Sequence, residues 1–135
     1  MEQLDVVGLV KAAQTLERNV SVALMYSGLR IPQYRLLELL AEREQATVTE
    51  MSEALRITRA TASVLVNEML RAGIVAVVEH PSDRRSFHVR MTELGSDKLH
   101  VARSDLAVLH KQLAKTYSPE CVRVLNAFAK TPLRK

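Results

Sequence analysis

The stretch that decides the fold spans residues 47–92: TVTEMSEALRITRATASVLVNEMLRAGIVAVVEHPSDRRSFHVRMT. Thr47 and Glu50 have the spacing of a capping box, which predicts a short helix from this point. After the turn at Arg56, Thr58 is placed to cap a second helix, which ends at Gly73. Apolar residues at helical spacing give the second helix one buried face, and they are Ala62, Leu65, Val66 and Met69.

A β-hairpin pattern follows the second helix directly. Residues 74–79 are rich in β-branched side chains, and in residues 87–91 the inward positions Phe87, Val89 and Met91 alternate with polar ones. The turn-rich segment 80–86 between them carries adjacent arginines. Two close helices and a basic hairpin are what a winged helix-turn-helix requires. The fold class predicted is mainly α with a small β-hairpin wing.

Helical patterns flank this core on both sides. They are predicted over residues 4–26, 32–43, 93–115 and 119–130. In the third of them, apolar residues recur at steps of three and four, which is a heptad-like seam that another helix usually fills. We therefore expect a homodimer, with this seam in its interface. The seam consists of Leu99, Ala102, Leu106, Leu109 and Leu113.

Length and charge narrow the class of protein. A chain of 135 residues is the size of one domain. Residues 1–55 carry 5 Lys and Arg against 8 Asp and Glu, whereas residues 56–90 carry 6 against 3 and residues 91–135 carry 8 against 4. This asymmetry favours a polyanionic partner, although scattered surface cations would explain it equally well.

Several classes of protein are not indicated. The sequence has no apolar run of membrane-spanning length and no basic secretory N-terminus, so a cytoplasmic protein without membrane contact is expected. It contains no catalytic constellation and no phosphate-binding glycine loop, so neither an enzyme nor a cofactor is predicted. The single Cys121 is interpreted as an inert thiol rather than a redox sensor. His80, His88, His100 and His110 lack the spacing of metal ligands, so no metal site is predicted.

The residues predicted to contact DNA lie on two elements. On the second helix of the pair, an arginine can contact guanine and the hydroxyls can reach bases or phosphates. At the hairpin tip, long cationic side chains suit phosphates or a narrow minor groove. In both places the alternative is a solvated turn. The predicted DNA-binding residues are Thr58, Arg59, Thr61, Ser63, Asn67, Asp83, Arg84 and Arg85.

Taken in order, these residues resemble the MarR family of bacterial transcription regulators. The most specific match is Pro81-x-Asp83-Arg84-Arg85-Ser86, followed by Thr92-x-x-Gly95. The resemblance covers about residues 1–130. It implies a single MarR-like domain over 1–135, with dimerisation helices at about 1–28 and 93–130 and the winged helix-turn-helix at about 32–92. Four positions depart from the pattern. Val64 stands where many relatives carry a basic or polar residue, Val77 and Val78 stand where many carry arginine, and Arg56 stands where glycine is frequent.

The resemblance implies a sequence-specific regulator, most often a repressor, that binds a pseudo-palindromic operator in double-stranded DNA as a homodimer. Many family members release DNA when a small, often aromatic, ligand binds near the dimer helices. The residues that such a pocket would involve here are Tyr26, Tyr34, Arg35 and His100. The alternative function is a dimeric interaction or ligand-binding module that has kept the fold and lost DNA binding, which the three uncharged valines favour.

Overall fold

The computed structural model describes residues 2–79 and 87–131. Over these residues the chain is mainly helical, with one small antiparallel sheet. A 3-10 turn, Met25–Ser27, follows the first helix. The helices are α1 (Val6–Ala23), α2 (Ile31–Arg43), α3 (Val48–Leu55), α4 (Arg59–Arg71), α5 (Glu93–Thr116) and α6 (Pro119–Lys130), and the strands are β1 (Gln45–Thr47), β2 (Val75–Val77) and β3 (His88–Met91). The predicted fold class is confirmed.

Local hydrogen bonds begin both helices of the central pair. The Thr47 hydroxyl accepts from the Glu50 amide at 3.1 Å, and the Glu50 carboxylate accepts from the Thr47 amide at 3.0 Å. This capping box holds the pKa of the Glu50 carboxyl below its usual value, mainly through the bond from the Thr47 backbone. At α4, the Thr58 hydroxyl accepts from the Thr61 amide at 3.1 Å. Each cap satisfies an amide that has no partner within its helix.

Arg56 ends α3 in a left-handed conformation, with φ 57° and ψ 46°. A side chain in this region costs roughly 1–2 kcal/mol, whereas glycine adopts it freely but loses more entropy on folding. Arg56→Gly is therefore expected to raise the free energy of unfolding by about 0.5–1 kcal/mol in urea titrations. Arg56→Ala removes the side chain and keeps the strain, so it should change little. Equal stability of the glycine and alanine variants would show that the turn is unstrained.

The sheet contains one strand more than the sequence predicts. The strand order is β1-β3-β2, with Ala46 opposite Val89 and Val77 opposite Val89 on the other side. Because β1 has only three residues and pairs with a strand some forty positions later, it has no periodic signal of its own. The prediction that Phe87 points inward is wrong. β3 begins at His88, and Phe87 lies just before it, 47% exposed.

The hydrophobic core joins the winged segment to α5. Leu36, Leu37 and Leu40 of α2 lie at its centre, together with Met69 of α4 and Ile74. Leu99 and Ala102 of α5 belong to the same core and are 3% and 0% exposed. Their assignment to a dimer interface is therefore corrected, because the subunit itself covers them. The seam continues with Leu106, partly buried against the core, and with the half-buried Leu109 and Leu113.

A tight backbone joint ties the end of α4 to the start of α5. The Thr92 amide donates to the Ile74 carbonyl at 3.1 Å, and its hydroxyl donates to the Gly73 carbonyl at 2.6 Å. The same hydroxyl accepts from the Gly95 amide at 3.1 Å and so caps α5. A Cβ atom added to Gly95 would lie 2.1 Å from the Ile74 carbonyl oxygen. Only glycine fits at this position.

Candidate nucleic-acid interface

Helix α4 buries one face and exposes the other along its whole length. The buried residues are those that its periodicity predicts, Ala62, Leu65, Val66 and Met69. Of the predicted DNA-binding residues on α4, all four are exposed: Arg59, Thr61, Ser63 and Asn67. The structure thus leaves their side chains accessible to a partner, and their contact with DNA stays a prediction.

Arg59 and Ser63 line a groove between α4, the start of α3 and the residue before β3. The groove has a volume of about 630 Å³, and Thr47, Thr49 and Phe87 form its other walls. It lies where α3 and α4 both begin, so two helix N-termini border it. Helix N-termini favour negative charge, and hydroxyl and guanidinium groups bind phosphate oxygens. The groove therefore combines the groups that suit a phosphate group.

Thr58 has a structural role in this region. Its hydroxyl accepts from the Thr61 amide and donates to the Thr61 hydroxyl at 2.9 Å. Both hydrogen-bonding functions are therefore engaged within the first turn of α4. Thr58 caps α4, and the first turn presents Arg59 and Thr61 on either side of the exposed face.

The side of α4 that faces α2 is electrically balanced. The Arg30 guanidinium, next to the start of α2, forms an ion pair with the Glu68 carboxylate of α4. These residues line a second groove of about 360 Å³ together with Pro32, Ile57 and Thr61. Because the pair is exposed to solvent, its contribution to stability is small. It neutralises the one acidic residue of α4, which would otherwise repel DNA phosphates.

Two of the three departing valines lie on the surface. Val64 of α4 is 59% exposed and Val77 of β2 is 44% exposed. Val78 is half-buried. The sequence interpretation selected the polar residues of α4 and left out the exposed Ala60, Val64 and Arg71. Their exposure follows from the buried face of the helix, so the spacing of its apolar residues carried the signal that would have identified them.

The predicted wing residues Asp83, Arg84 and Arg85 lie outside the described residues, and so does His80. Among the residues that the structure describes, no three His, Cys, Asp or Glu side chains form a group able to hold a metal ion. Cys121 is half-buried on α6.

The four predicted ligand-binding residues take part in separate local environments. Tyr26 is 89% exposed at the end of α1, and His100 is exposed on α5. The Tyr34 hydroxyl donates to the Glu38 carboxylate at 3.2 Å, and burial is the main cause of its raised pKa. Arg35 donates to the Leu55 carbonyl at 3.1 Å, so it braces the end of α3. Tyr26 lines the groove between α1 and α5, whereas Tyr34, Arg35 and His100 line neither that groove nor the two grooves beside α4.

The third groove separates α1 from α5. Its volume is about 890 Å³, and its walls include Val22, Met25, Tyr26 and Val108. These four side chains are between 56% and 89% exposed. Neither α1 nor α6 contains a buried residue. These two helices carry further exposed apolar side chains: Val6, Val7, Val10, Leu16, Val124, Leu125 and Phe128. An apolar surface of this extent is typical of an interface with another protein chain.

None of the helices in the described part of the chain is long and apolar enough to span a bilayer.

The chain is similar to known transcription regulators. Residues 27–86 match the profile of the MarR family. No curated protein matches the chain at the level of sequence. Among solved structures, wild-type MarR from E. coli in its apo form superposes with a TM-score of 0.77 at 18% identity, covering 96% of this chain and 97% of that one.

Two further solved structures carry ligands. The M. tuberculosis transcriptional regulator MOSR in complex with DNA has a TM-score of 0.74 at 21% identity, covering 93% of each chain. NadR in complex with 4-hydroxyphenylacetate has a TM-score of 0.74 at 17% identity, covering 96% of this chain and 92% of that one. The family resemblance indicated by the sequence is thereby confirmed: residues 27–86 match the MarR family, and the described chain has the fold of MarR family transcription regulators.

Proposed function

We propose that this chain is a transcription regulator that binds double-stranded DNA as a homodimer, with the α4 helix of each subunit in a major groove. The observation that carries the proposal is the groove where α3 and α4 begin. There the Arg59 guanidinium and the hydroxyls of Thr47, Thr49 and Ser63 line one cleft between two helix N-termini. Guanidinium and hydroxyl groups at helix N-termini bind DNA phosphates and, where the helix enters the major groove, base edges. The fold shared with MOSR, a regulator solved in complex with DNA, supports the proposed binding of DNA.

The two DNA-binding elements have different tasks in this proposal. Arg59, Thr61, Ser63 and Asn67 lie on a helix narrow enough for the major groove, so base edges are within their reach. Thr58 positions them by capping α4. Asp83, Arg84 and Arg85 follow β2 and precede β3 in the sequence. We assign to the two arginines contacts with the DNA backbone and the shape of the minor groove, and to Asp83 the pairing that orients one of them.

The homodimer rests on the apolar surface of α1, α5 and α6. A second copy of the chain is the simplest partner for this surface, since a two-fold interface presents the same patch on both subunits. Two equivalent α4 helices then require a pseudo-palindromic operator, with half-site centres about 10–10.5 base pairs apart. DNA binding requires the compartment that holds the chromosome, which in a bacterium is the cytoplasm.

Repression relieved by a small aromatic ligand is part of the proposal. It is supported by the relative NadR, whose structure holds 4-hydroxyphenylacetate. In this chain we assign such a ligand to the groove between α1 and α5, where it would lie between this subunit and the second one, because Tyr26 and Val108 give the groove apolar walls and Asn19 and Gln112 give it hydrogen-bonding groups. The predicted residues Tyr34, Arg35 and His100 do not line this groove.

The test is the salt dependence of duplex binding. Each phosphate contact contributes about −0.9 to the slope of log affinity against log salt. Arg84→Ala combined with Arg85→Ala is expected to weaken binding to all sequences alike and to flatten the slope by roughly one unit per lost contact. Arg59→Ala is expected instead to cost about 1–3 kcal/mol at one position of each half-site and to relax specificity there. Affinity is measured by fluorescence anisotropy on specific and scrambled duplexes.

The matched control removes two cations from α5. Lys111→Ala combined with Lys115→Ala lowers the net charge by the same amount at exposed positions away from α4. It is expected to keep the wild-type slope to within the small effect of overall charge. A wing variant with the wild-type slope on both duplexes would place the wing off the DNA and refute this mechanism.

A second candidate function is a dimeric interaction module without DNA binding. The exposed Val64 and Val77 favour it, because they place no charge on the surface that would face phosphates. This candidate predicts that a duplex from the region upstream of the protein's own gene is bound no more tightly than scrambled DNA at any salt concentration. A specificity ratio of about 10³ or more would exclude it.

A further inference from the structure

On α4, the line of residues that points directly away from the core begins with two apolar residues. Successive residues of an α-helix are rotated by about 100°, so its buried residues define the inward direction. Four residues point directly away from this buried face, and they are spaced by four, three and four: Ala60, Val64, Asn67 and Arg71. All four are exposed. Whatever lies deepest against α4 therefore meets Ala60 and Val64 first, in the half of the helix that follows its capped N-terminus.

Beside Ala60 and Val64, polar residues of α4 lie at the margins of this line. Arg59 and Ser63 border the groove next to α3, while Thr61 and Glu68 border the groove next to α2. Glu68 is paired with Arg30 and carries no free negative charge. The first half of this face therefore has the Arg59 cation and hydroxyls at its edges and an aliphatic centre, and its second half continues with Asn67 and Arg71. This distribution suits a partner whose charge lies outside and whose apolar groups lie inside, as in a DNA major groove.

An exposed valine on a helix needs a reason. Valine has a lower helix propensity than alanine or lysine, because its branched side chain loses rotamer freedom. At 59% exposure Val64 also contributes little to the core of its own subunit. Valine has no hydrogen-bonding group, so it cannot recognise the donors and acceptors of base edges. The one group in the major groove that rewards an aliphatic contact is the C5 methyl group of thymine.

We propose that Val64, with Ala60 beside it, selects thymine in each half-site by packing against the thymine methyl group. The inference rests on the proposed DNA binding and adds to it the base that the centre of α4 recognises. Arg59 on the flank and Asn67, which follows Val64 along the line, are left to contact hydrogen-bonding bases next to that thymine. The operator should accordingly contain an A·T pair at the position that faces Val64, with its thymine methyl group directed towards α4.

The experiment removes single methyl groups from the DNA. An operator is selected from random duplexes by the wild-type protein, and each thymine is replaced in turn by deoxyuridine, which keeps every hydrogen-bonding group. Removing one buried methyl group from the interface is expected to lower the affinity about three- to tenfold. We expect such a loss at one or two thymines of each half-site for the wild type. With Val64→Ala the same substitution should cost less than about twofold, because the partner of the methyl group is gone.

Val77→Ala is the matched control, since it shortens another exposed valine in the same way but lies on β2. Whatever its overall affinity, it should retain the wild-type penalty for deoxyuridine. A wild-type protein that binds every deoxyuridine operator within twofold of the thymine operator overturns this inference and leaves the proposed function standing. So does a penalty that persists undiminished in Val64→Ala. Failure to bind any duplex selectively overturns both.

Discussion

Replacing Gly95 by alanine is expected to destabilise the protein by roughly 3 kcal/mol or more, through overpacking and the loss of a helix cap. The added Cβ atom would lie 2.1 Å from the Ile74 carbonyl oxygen and 3.0 Å from the Met91 Cγ atom. The first of these is a backbone atom, so no side-chain rotation relieves the contact. Separating the two segments would break the bond from the Thr92 amide to the same carbonyl. Natural domains are stable by only about 5–15 kcal/mol, so the loss is a large fraction of the total.

The sign of the change in stability distinguishes steric overlap at Gly95 from an effect of helix propensity alone. Helix propensity alone predicts that Gly95→Ala stabilises α5 by up to about 1 kcal/mol. Gly73→Ala is a useful comparison, because Gly73 has φ 74° and no atom within 4 Å of an added Cβ. It should cost about 1–2 kcal/mol from backbone strain alone. Urea denaturation of the three proteins measures the order. A Gly95→Ala variant as stable as the wild type would refute the close approach at this joint.

Val108→Glu is expected to dissociate the proposed dimer while the subunit stays folded. Val108 is 56% exposed and lines the groove between α1 and α5 with Val22 and Met25. In a dimer that covers this groove, the new carboxylate would be buried without a partner, at a cost of about 3–5 kcal/mol. That cost raises the dimer dissociation constant by at least about 100-fold. Sedimentation velocity over a concentration series measures it, and circular dichroism verifies the fold.

Ala107→Glu is the control for this experiment. Ala107 is exposed and adjoins Val108, but it points away from the groove, so its charge should remain solvated. Leu106→Glu is unsuitable, because Leu106 packs against the core of its own subunit and the variant would confuse unfolding with dissociation. The prediction fails if Val108→Glu dimerises as tightly as Ala107→Glu, or if the wild type is a well-folded monomer at micromolar concentration.

The parts of the fold that sequence predicts well are those with local causes. Thr47 and Thr58 each cap the helix that the sequence assigns to them, because a cap involves residues only three positions apart. β1 was missed because its evidence is its pairing with β3, far along the chain. Arg56 was placed correctly in a turn, and the structure adds its left-handed conformation.

Periodicity identifies an apolar stripe but not the chain that covers it. The seam of α5 is continuous in sequence, yet its first two members, Leu99 and Ala102, belong to the subunit's own core. The predicted DNA-binding residues of α4 are exposed and stay a prediction. Polar side chains were selected for their chemistry, although the periodicity of α4 places Ala60 and Val64 at the centre of its exposed face. The ligand-binding residues were inferred from family resemblance and stay a prediction. In the structure the Tyr34 hydroxyl donates to Glu38 and Arg35 donates to the Leu55 carbonyl.

The burial of Leu99 and Ala102 also constrains how such chains can diversify. A recombination event that joined the first 92 residues of one chain to the last helices of another would replace two side chains of a close-packed interior, together with the glycine that Ile74 requires. Viable chimaeras need their junction beyond Leu106, where α5 leaves the core. Helix α4, which we propose to recognise a half-site, and the first half of α5 are therefore inherited together.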